Sequence, residues 1–307
     1  MVLKNNYDLG YTLLIIFKKQ GGKMREPKKL RVTLPDFVIQ TLESDIRDFK
    51  ITQNGLLNEI FSLYAKERKE IQTIGKTRNN DVKQFNLNKK NQQIYDSTLK
   101  MYGITVEAEF FRNIFYDYID APKYKRELLI FAETVREIEL AIKKSKKIEI
   151  IFGDNKESRI IEPYFIKAAG GESRNYLHCF CEKSNDFRNF RITNINVLRV
   201  LNEKHEKYDS EKVNNARANY DPFGSYSKEV KVRLSEKGKR HYDMILTNRP
   251  NIKESCGDTY TFYCSEENAK IYFPHFMDEA EILEPQELRE WFREKFERGV
   301  RKYEGGE

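Results

Sequence analysis

The spacing of apolar residues changes at Lys147, and that change constrains the fold more than any other feature of the chain. Upstream, apolar positions recur every three or four residues, as they do on the buried face of a helix. From Lys147 the period falls to two, that of half-buried strands. Five such runs, over residues 147–152, 159–166, 176–181, 187–192 and 197–201, are split by Gly, Asn and Ser turns. Five short strands in about 55 residues suggest a small barrel. In the third run Leu177, Cys179 and Cys181 share one face, read as core, and Tyr176, His178 and Phe180 share the other. The expectation is an α+β chain: helical first, then a five-stranded barrel, then a mixed C-terminal part.

Composition limits what such a chain can do. Of its 307 residues 39% are hydrophobic, 34% charged and 13% aromatic, so it has core material under a wet surface. Apolar runs such as residues 13–17 fall far short of the roughly 20 residues a membrane-spanning helix needs. Cys179, Cys181, Cys256 and Cys264 form no CxxC pair, and four histidines are few for a His-built centre. No Gly-rich phosphate loop, GxSxG elbow or HExxH is present in the sequence. The expected molecule is a cytoplasmic binding protein, with no enzyme activity, metal or cofactor. Its net charge of +7 is unevenly spread: residues 1–23 carry +3, 24–147 carry +6, 148–221 are neutral and 222–307 carry −2. Such an excess confined to the first half suits a polyanion there.

Gly21-Gly22-Lys23-Met24 is what translation of a ribosome-binding site and start codon would give, so Met24 is read as the natural start and residues 1–24 as disordered or over-extended. In the next segment, residues 25–122, Leu30, Val32 and Leu34 alternate with Lys29, Arg31 and Thr33 as a short strand. Pro35 opens a helix carrying Phe37, Ile39, Leu42 and Ile46; Thr52 opens a second carrying Leu56, Leu57, Ile60, Phe61 and Tyr64. The pattern then recurs. Phe85, Leu87, Tyr95 and Leu99 lie 53 residues after Val32, Leu34, Leu42 and Ile46, and Phe110, Phe111, Ile114, Phe115 and Tyr118 lie 54 after the second helix's set. A tandem repeat could close a pseudo-dimeric unit within one chain. Residues 123–146 read as a connecting helix.

One strand and two helices of this size cannot bury a core alone, and the arrangement resembles the ribbon-helix-helix family, in which two copies pair their strands. That resemblance implies that Lys29, Arg31 and Thr33 read nucleic acid and that Thr52, Gln53 and Asn54 clamp a phosphate at a helix start. Within residues 147–221, Arg159-Ile160-Ile161-Glu162-Pro163, Asn175-Tyr176-Leu177 and Arg188-Asn189-Phe190-Arg191-Ile192 resemble WYL domains, which implies an Sm/SH3-like barrel. Asn175 stands where that family has its Trp, and Thr193-Asn194 where it has Asp-Arg. Tyr176 and His178 are the candidates to stack or hydrogen-bond a base, with Arg159, Arg188 and Arg191 on phosphates. Arg188 and Arg191 are three apart, so a regular strand puts them on opposite faces.

Residues 222–307 alternate β-α-β-β-α-β, a ferredoxin-like order. The last helix carries Trp291, Phe292 and Phe296, read as a docking face. The three parts together resemble the WYL-domain accessory proteins of type VI-D CRISPR–Cas systems. That likeness implies a homodimer that binds single-stranded RNA and enhances the RNA-guided ribonuclease beside it. The alternatives are a repressor that binds duplex DNA through its ribbon and senses a ligand through its barrel, and a pure assembly module.

Overall fold

The computed structural model describes residues 27–66, 80–153, 157–168, 174–218, 220–225 and 228–305; the reading of residues 1–24 lies outside them. The chain forms two compact units. One takes the chain up to Asp36 with Gln53–Ile114, the other Phe37–Thr52 with Phe115–Glu307. The described residues hold ten α-helices and eleven strands, a mixed α+β chain. No helix among them is long and apolar enough to cross a membrane.

The N-terminal elements are β1 (Lys29–Pro35), α1 (Asp36–Phe49), α2 (Gln53–Lys66), β2 (Asn80–Asn86), α3 (Lys89–Met101) and α4 (Glu107–Asp120). Strand-helix-helix therefore occurs twice, and β1 pairs with β2 antiparallel. The register bears on the repeat. Arg31 faces Gln84, and 84 − 31 = 53, so each strand meets its own counterpart at the midpoint, as a pseudo-twofold requires. Lys29 then faces Asn86 and Thr33 faces Val82. Leu30, Val32, Leu34, Phe85 and Leu87 turn inward and are buried. They belong to an aromatic core in which Phe111 lies 5.5 Å from Phe85, 5.6 Å from Phe61 and stacked 6.3 Å from Tyr95.

The second unit continues with α5 (Lys123–Ile130), α6 (Ala132–Lys143), β3 (Lys146–Phe152), β4 (Ser158–Ala168), β5 (Asn175–Cys181), β6 (Asp186–Arg191), β7 (Ile195–Lys204) and α7 (Ser210–Ala218). The five strands form one antiparallel sheet of order β6-β5-β4-β3-β7. It is open: β6 and β7 are its edges and no ladder joins them among the described residues, so the expected barrel does not close. A helix covers the apolar face that closure would have sealed. Ile138 and Ala141 of α6 pack on Ile148, Ile150, Ile161, Leu177, Cys179 and Cys181. The opposite face is covered too, by Val213 and Ala216 of α7 and by Tyr220, against Tyr164, Phe165 and Phe180. At the sheet's end Lys147 is buried as a charged group, its Nζ 2.8 Å from both Glu182 and Glu206, whose carboxylates hold its pKa above the usual lysine range.

The C-terminal sheet has order β11-β8-β10-β9, built from β8 (Glu229–Leu234), β9 (Asn251–Cys256), β10 (Thr259–Tyr263) and β11 (Ala280–Glu284). With α8 (Glu236–Met244), α9 (Glu266–Tyr272) and α10 (Gln286–Tyr303) the element order is the β-α-β-β-α-β read from the sequence. Phe292 is buried in the core under this sheet, so one of the three residues read as a docking face is interior, and Trp291, partly buried, packs against that core. Gly238, near the start of α8, passes so close to the residue preceding β11 that a Cβ there would stand 2.3 Å from the Glu279 carbonyl oxygen. That carbonyl already accepts the Ser235 N–H at 3.1 Å, so it cannot move away freely. Gly238→Ala should cost about 1–3 kcal/mol, measured as a lowered thermal midpoint. A midpoint equal to wild type would show that the helix end moves away at no cost.

Candidate nucleic-acid interface

The outward face of the two-stranded ribbon presents an open set of recognition groups in the first unit. Alternation leaves Lys29, Arg31 and Thr33 of β1 and Val82, Gln84 and Asn86 of β2 exposed in facing rows. Lys29 and Arg31 form no ion pair with another described residue, so their charge is available to an anion. Gln84 and Asn86 add amides that both donate and accept, the groups that read base edges, while cations hold phosphates. The two rows are unequal: both cations lie on β1.

Side chains at the start of α2 hold the ribbon in place. Gln53 and Asn54 open α2, where a phosphate clamp was expected. Their side chains are engaged with β2 instead: Gln53 Nε2 donates to the Gln84 carbonyl (2.9 Å) and Asn54 Oδ1 accepts the Asn86 N–H (2.8 Å). Buried Asn58 continues the seam, donating to the Asn86 carbonyl (2.9 Å) and accepting the Asn88 N–H (2.8 Å). Buried Asn91 and Ser62 complete it, each polar atom finding a partner. These side chains are structural stitches, and Thr52 remains as an exposed residue before the helix. In the second copy Glu107 stands 54 residues after Gln53, an acid tied to Lys28 at 2.5 Å. The two helix starts therefore differ in charge as the two strands do.

The residues chosen from the WYL resemblance are not brought together. Arg188 pairs with Cys179 and Arg191 with Tyr176, so the two arginines point to opposite faces, as their spacing required. Arg159, partly exposed, pairs with Ile150 on β3. Arg188 is exposed and ion-paired with Asp186 at 3.7 Å, its Nε donating to Ser184 Oγ at 3.4 Å. Arg191 is internal: its Nη2 donates to the Asp48 carbonyl (2.8 Å), and its Nε lies 3.6 Å from the buried Glu127 carboxylate. Asn175, in place of the family's Trp, is buried and donates through its backbone and side chain to the same carboxylate, at 2.5 and 2.7 Å. Burial pushes the Glu127 pKa up, and the Asn175 and Arg191 contacts only partly offset it.

Tyr176 and His178 correct the sequence reading most plainly. Their face was expected to stack a base, yet α7 and Tyr220 cover it. His178 is only 3% exposed, its ring stacked on Phe165 (4.9 Å) and on Phe187 (5.7 Å), which leaves no face for a base. Tyr176 is partly buried in the same cluster. The His178 tautomer follows from its neighbour: Asn189 Nδ2 donates to the Asp221 and Pro222 carbonyls, so Asn189 Oδ1 must accept, and His178 Nδ1 carries the proton at 2.7 Å.

Burial lowers the His178 pKa below its ordinary 6.5, the Asn189 bond only partly opposing this. A depressed folded pKa adds stability that is complete above about pH 6.5 and is lost as the pH falls toward the folded value. Thermal midpoints should therefore drop between pH 7.5 and 5.5, and His178→Phe, which keeps the stack, should flatten that slope. An unchanged slope in this variant would assign the acid sensitivity elsewhere, with His205, also lowered by burial, the next group to replace.

Comparison with known proteins agrees with this layout. A WYL-domain family model matches residues 133–200, from α6 into β7, so the chain contains a WYL domain. No curated protein matches the chain. A solved structure described as "Crystal structure of a CRISPR Cas-related protein" matches with a TM-score of 0.72, covering 94% of this chain and 97% of that one. At 18% identity the likeness is one of fold. Proteasome accessory factor B/C of Arthrobacter aurescens matches with a TM-score of 0.30 and 12% identity, over 88% of this chain and 49% of that one, too low to support an argument.

Proposed function

We propose that this protein is a non-enzymatic accessory of a type VI-D CRISPR–Cas system that binds single-stranded RNA and enhances the RNA-guided ribonuclease of that system, working as a cytoplasmic homodimer. The likeness in fold to a CRISPR Cas-related protein over nearly the whole chain supports the accessory role. The observation that carries nucleic-acid binding is the ribbon: Lys29, Arg31 and Thr33 exposed in register with Gln84 and Asn86, as in a ribbon-helix-helix reader. Its asymmetry favours a single strand. A palindromic duplex presents equal half-sites, whereas here one row is cationic and the other neutral, with Val82 40% exposed within it.

A second reading keeps the ribbon and changes the ligand: duplex DNA in the major groove, whose width admits a two-stranded antiparallel ribbon, with the protein acting as a repressor. Competition between a duplex and a single-stranded RNA over a salt series separates the two. RNA preferred, with a slope of log K on log salt near −0.7 per phosphate, fits the accessory; duplex preferred, near −0.9, fits the repressor. Addition of the protein to a type VI-D effector should then raise the rate of RNA cleavage, and an unchanged rate would remove the accessory role.

A further inference from the structure

A groove of about 540 Å³ opens on the second unit between α6, β4 and α7. Its volume falls within the roughly 300–1,000 Å³ of small-ligand sites. Lys143 comes from the last turn of α6, Lys167 from β4 and Arg217 from α7, with Glu139 as the acid among its lining residues. Tyr164 and Phe165 also line it. None of the three cations forms an ion pair with another described residue, so the groove is electropositive.

The arrangement inside it is specific. His178 and Arg217 both meet the Phe165 ring: the imidazole stacks on it at 4.9 Å and the guanidinium lies over it at 5.1 Å. The guanidinium is steadied by the Tyr164 carbonyl at 3.4 Å, and Lys167 Nζ donates to the Arg217 carbonyl at 2.5 Å. Arg217 is itself exposed, so the cluster presents a planar cation to solvent. A planar guanidinium held in this way is a platform for a nucleobase, and ammonium groups beside it suit a phosphate. Glu139 can accept from a ribose hydroxyl or an exocyclic amine.

We propose that this groove binds a nucleotide unit, its base laid on the Arg217 guanidinium and its phosphate held by Lys143 and Lys167. The unit belongs to the single-stranded RNA of the proposed function, on which this inference rests, or to a free mononucleotide of the same chemistry. The buried WYL face thus acts from behind, as the support of Arg217, and not as the contact surface.

The test uses the full chain, a labelled 12-nucleotide RNA and AMP, with two variants: Lys143→Glu with Arg217→Ala, and Lys143→Glu alone. Lys143 is exposed and its side chain forms no hydrogen bond or ion pair with another described residue, so the single variant should keep the fold. Expected is a tenfold or greater loss of RNA affinity in the double variant, a smaller loss in the single one, and a flatter salt dependence in both. Variants that bind RNA as wild type does overturn the groove while leaving the RNA reading intact. If wild type binds no RNA, that reading fails and AMP decides: AMP bound by wild type and lost in the double variant upholds the groove, and AMP unbound by wild type overturns it.

Discussion

Replacing Asp45 with alanine will cost the second unit about 3–5 kcal/mol of stability, the penalty of leaving one member of a buried ion pair without its partner. Asp45 is fully buried and Arg126 nearly so, their side chains 0% and 8% exposed. The contact is bidentate, with Arg126 Nε 2.7 Å from Oδ2 and Nη2 2.9 Å from Oδ1. Tyr118 donates its hydroxyl to Oδ2 at 2.9 Å, and Arg126 Nη1 donates to the Ala121 carbonyl at 2.6 Å. Alanine would remove the only carboxylate on this guanidinium among the described residues and orphan the tyrosine hydroxyl. Asp45→Asn keeps the shape and loses the charge, so it should fall between. The diagnostic variant is Asp45→Ala with Arg126→Met, which removes both charges and should recover much of the loss, because well-packed apolar groups often replace a buried pair at little cost. Urea unfolding of the four proteins measures all of this. A single-variant loss below about 1 kcal/mol would show that water reaches Arg126.

That pair also marks the limit of what the sequence could disclose. Periodicity placed most strands and helices, because which face of an element is apolar is written locally, but it ran α5 and α6 together over residues 123–146 and gave no signal for α7. It put Leu177, Cys179 and Cys181 together in a core, and the offset of 53 residues made Gln84 the counterpart of Arg31, the two residues that the register brings face to face. It could not show that Asp45 and Arg126, 81 residues apart, are buried together, since a charge on an amphipathic helix reads as solvated until its partner is known. The same blindness hid the cover on Tyr176 and His178. The short helix α7 that buries their face is polar in most positions and has only Val213 and Ala216 to offer inward. Gln53 and Asn54 looked like a phosphate clamp because helix starts favour such residues. Their actual partners are main-chain atoms of a strand some 30 residues on, invisible to local pattern.

Lys29→Ala with Arg31→Ala should abolish most nucleic-acid affinity while leaving the fold untouched, and that separation makes the pair decisive. Both side chains are exposed and neither is ion-paired with another described residue, so stability should stay within about 0.5 kcal/mol of wild type. Their contribution to binding is of another size. If each meets a phosphate, the slope of log K on log salt should fall by about 1.4 for a single strand, or about 1.8 for a B-form duplex, from counterion release. If Arg31 also reads a base edge, a further 1–3 kcal/mol disappears that salt cannot account for. Gln84→Ala separates these contributions: facing Arg31 across the ribbon, it should lower sequence discrimination with no change of slope. The groove at Arg217 sharpens the comparison, because a strand held at both places should lose affinity to either variant pair, whereas a duplex read by the ribbon alone should ignore Lys143 and Arg217. Binding that survives the loss of Lys29 and Arg31 at every salt concentration would remove the ribbon as the interface, and the uneven charge of the first half would then need another partner.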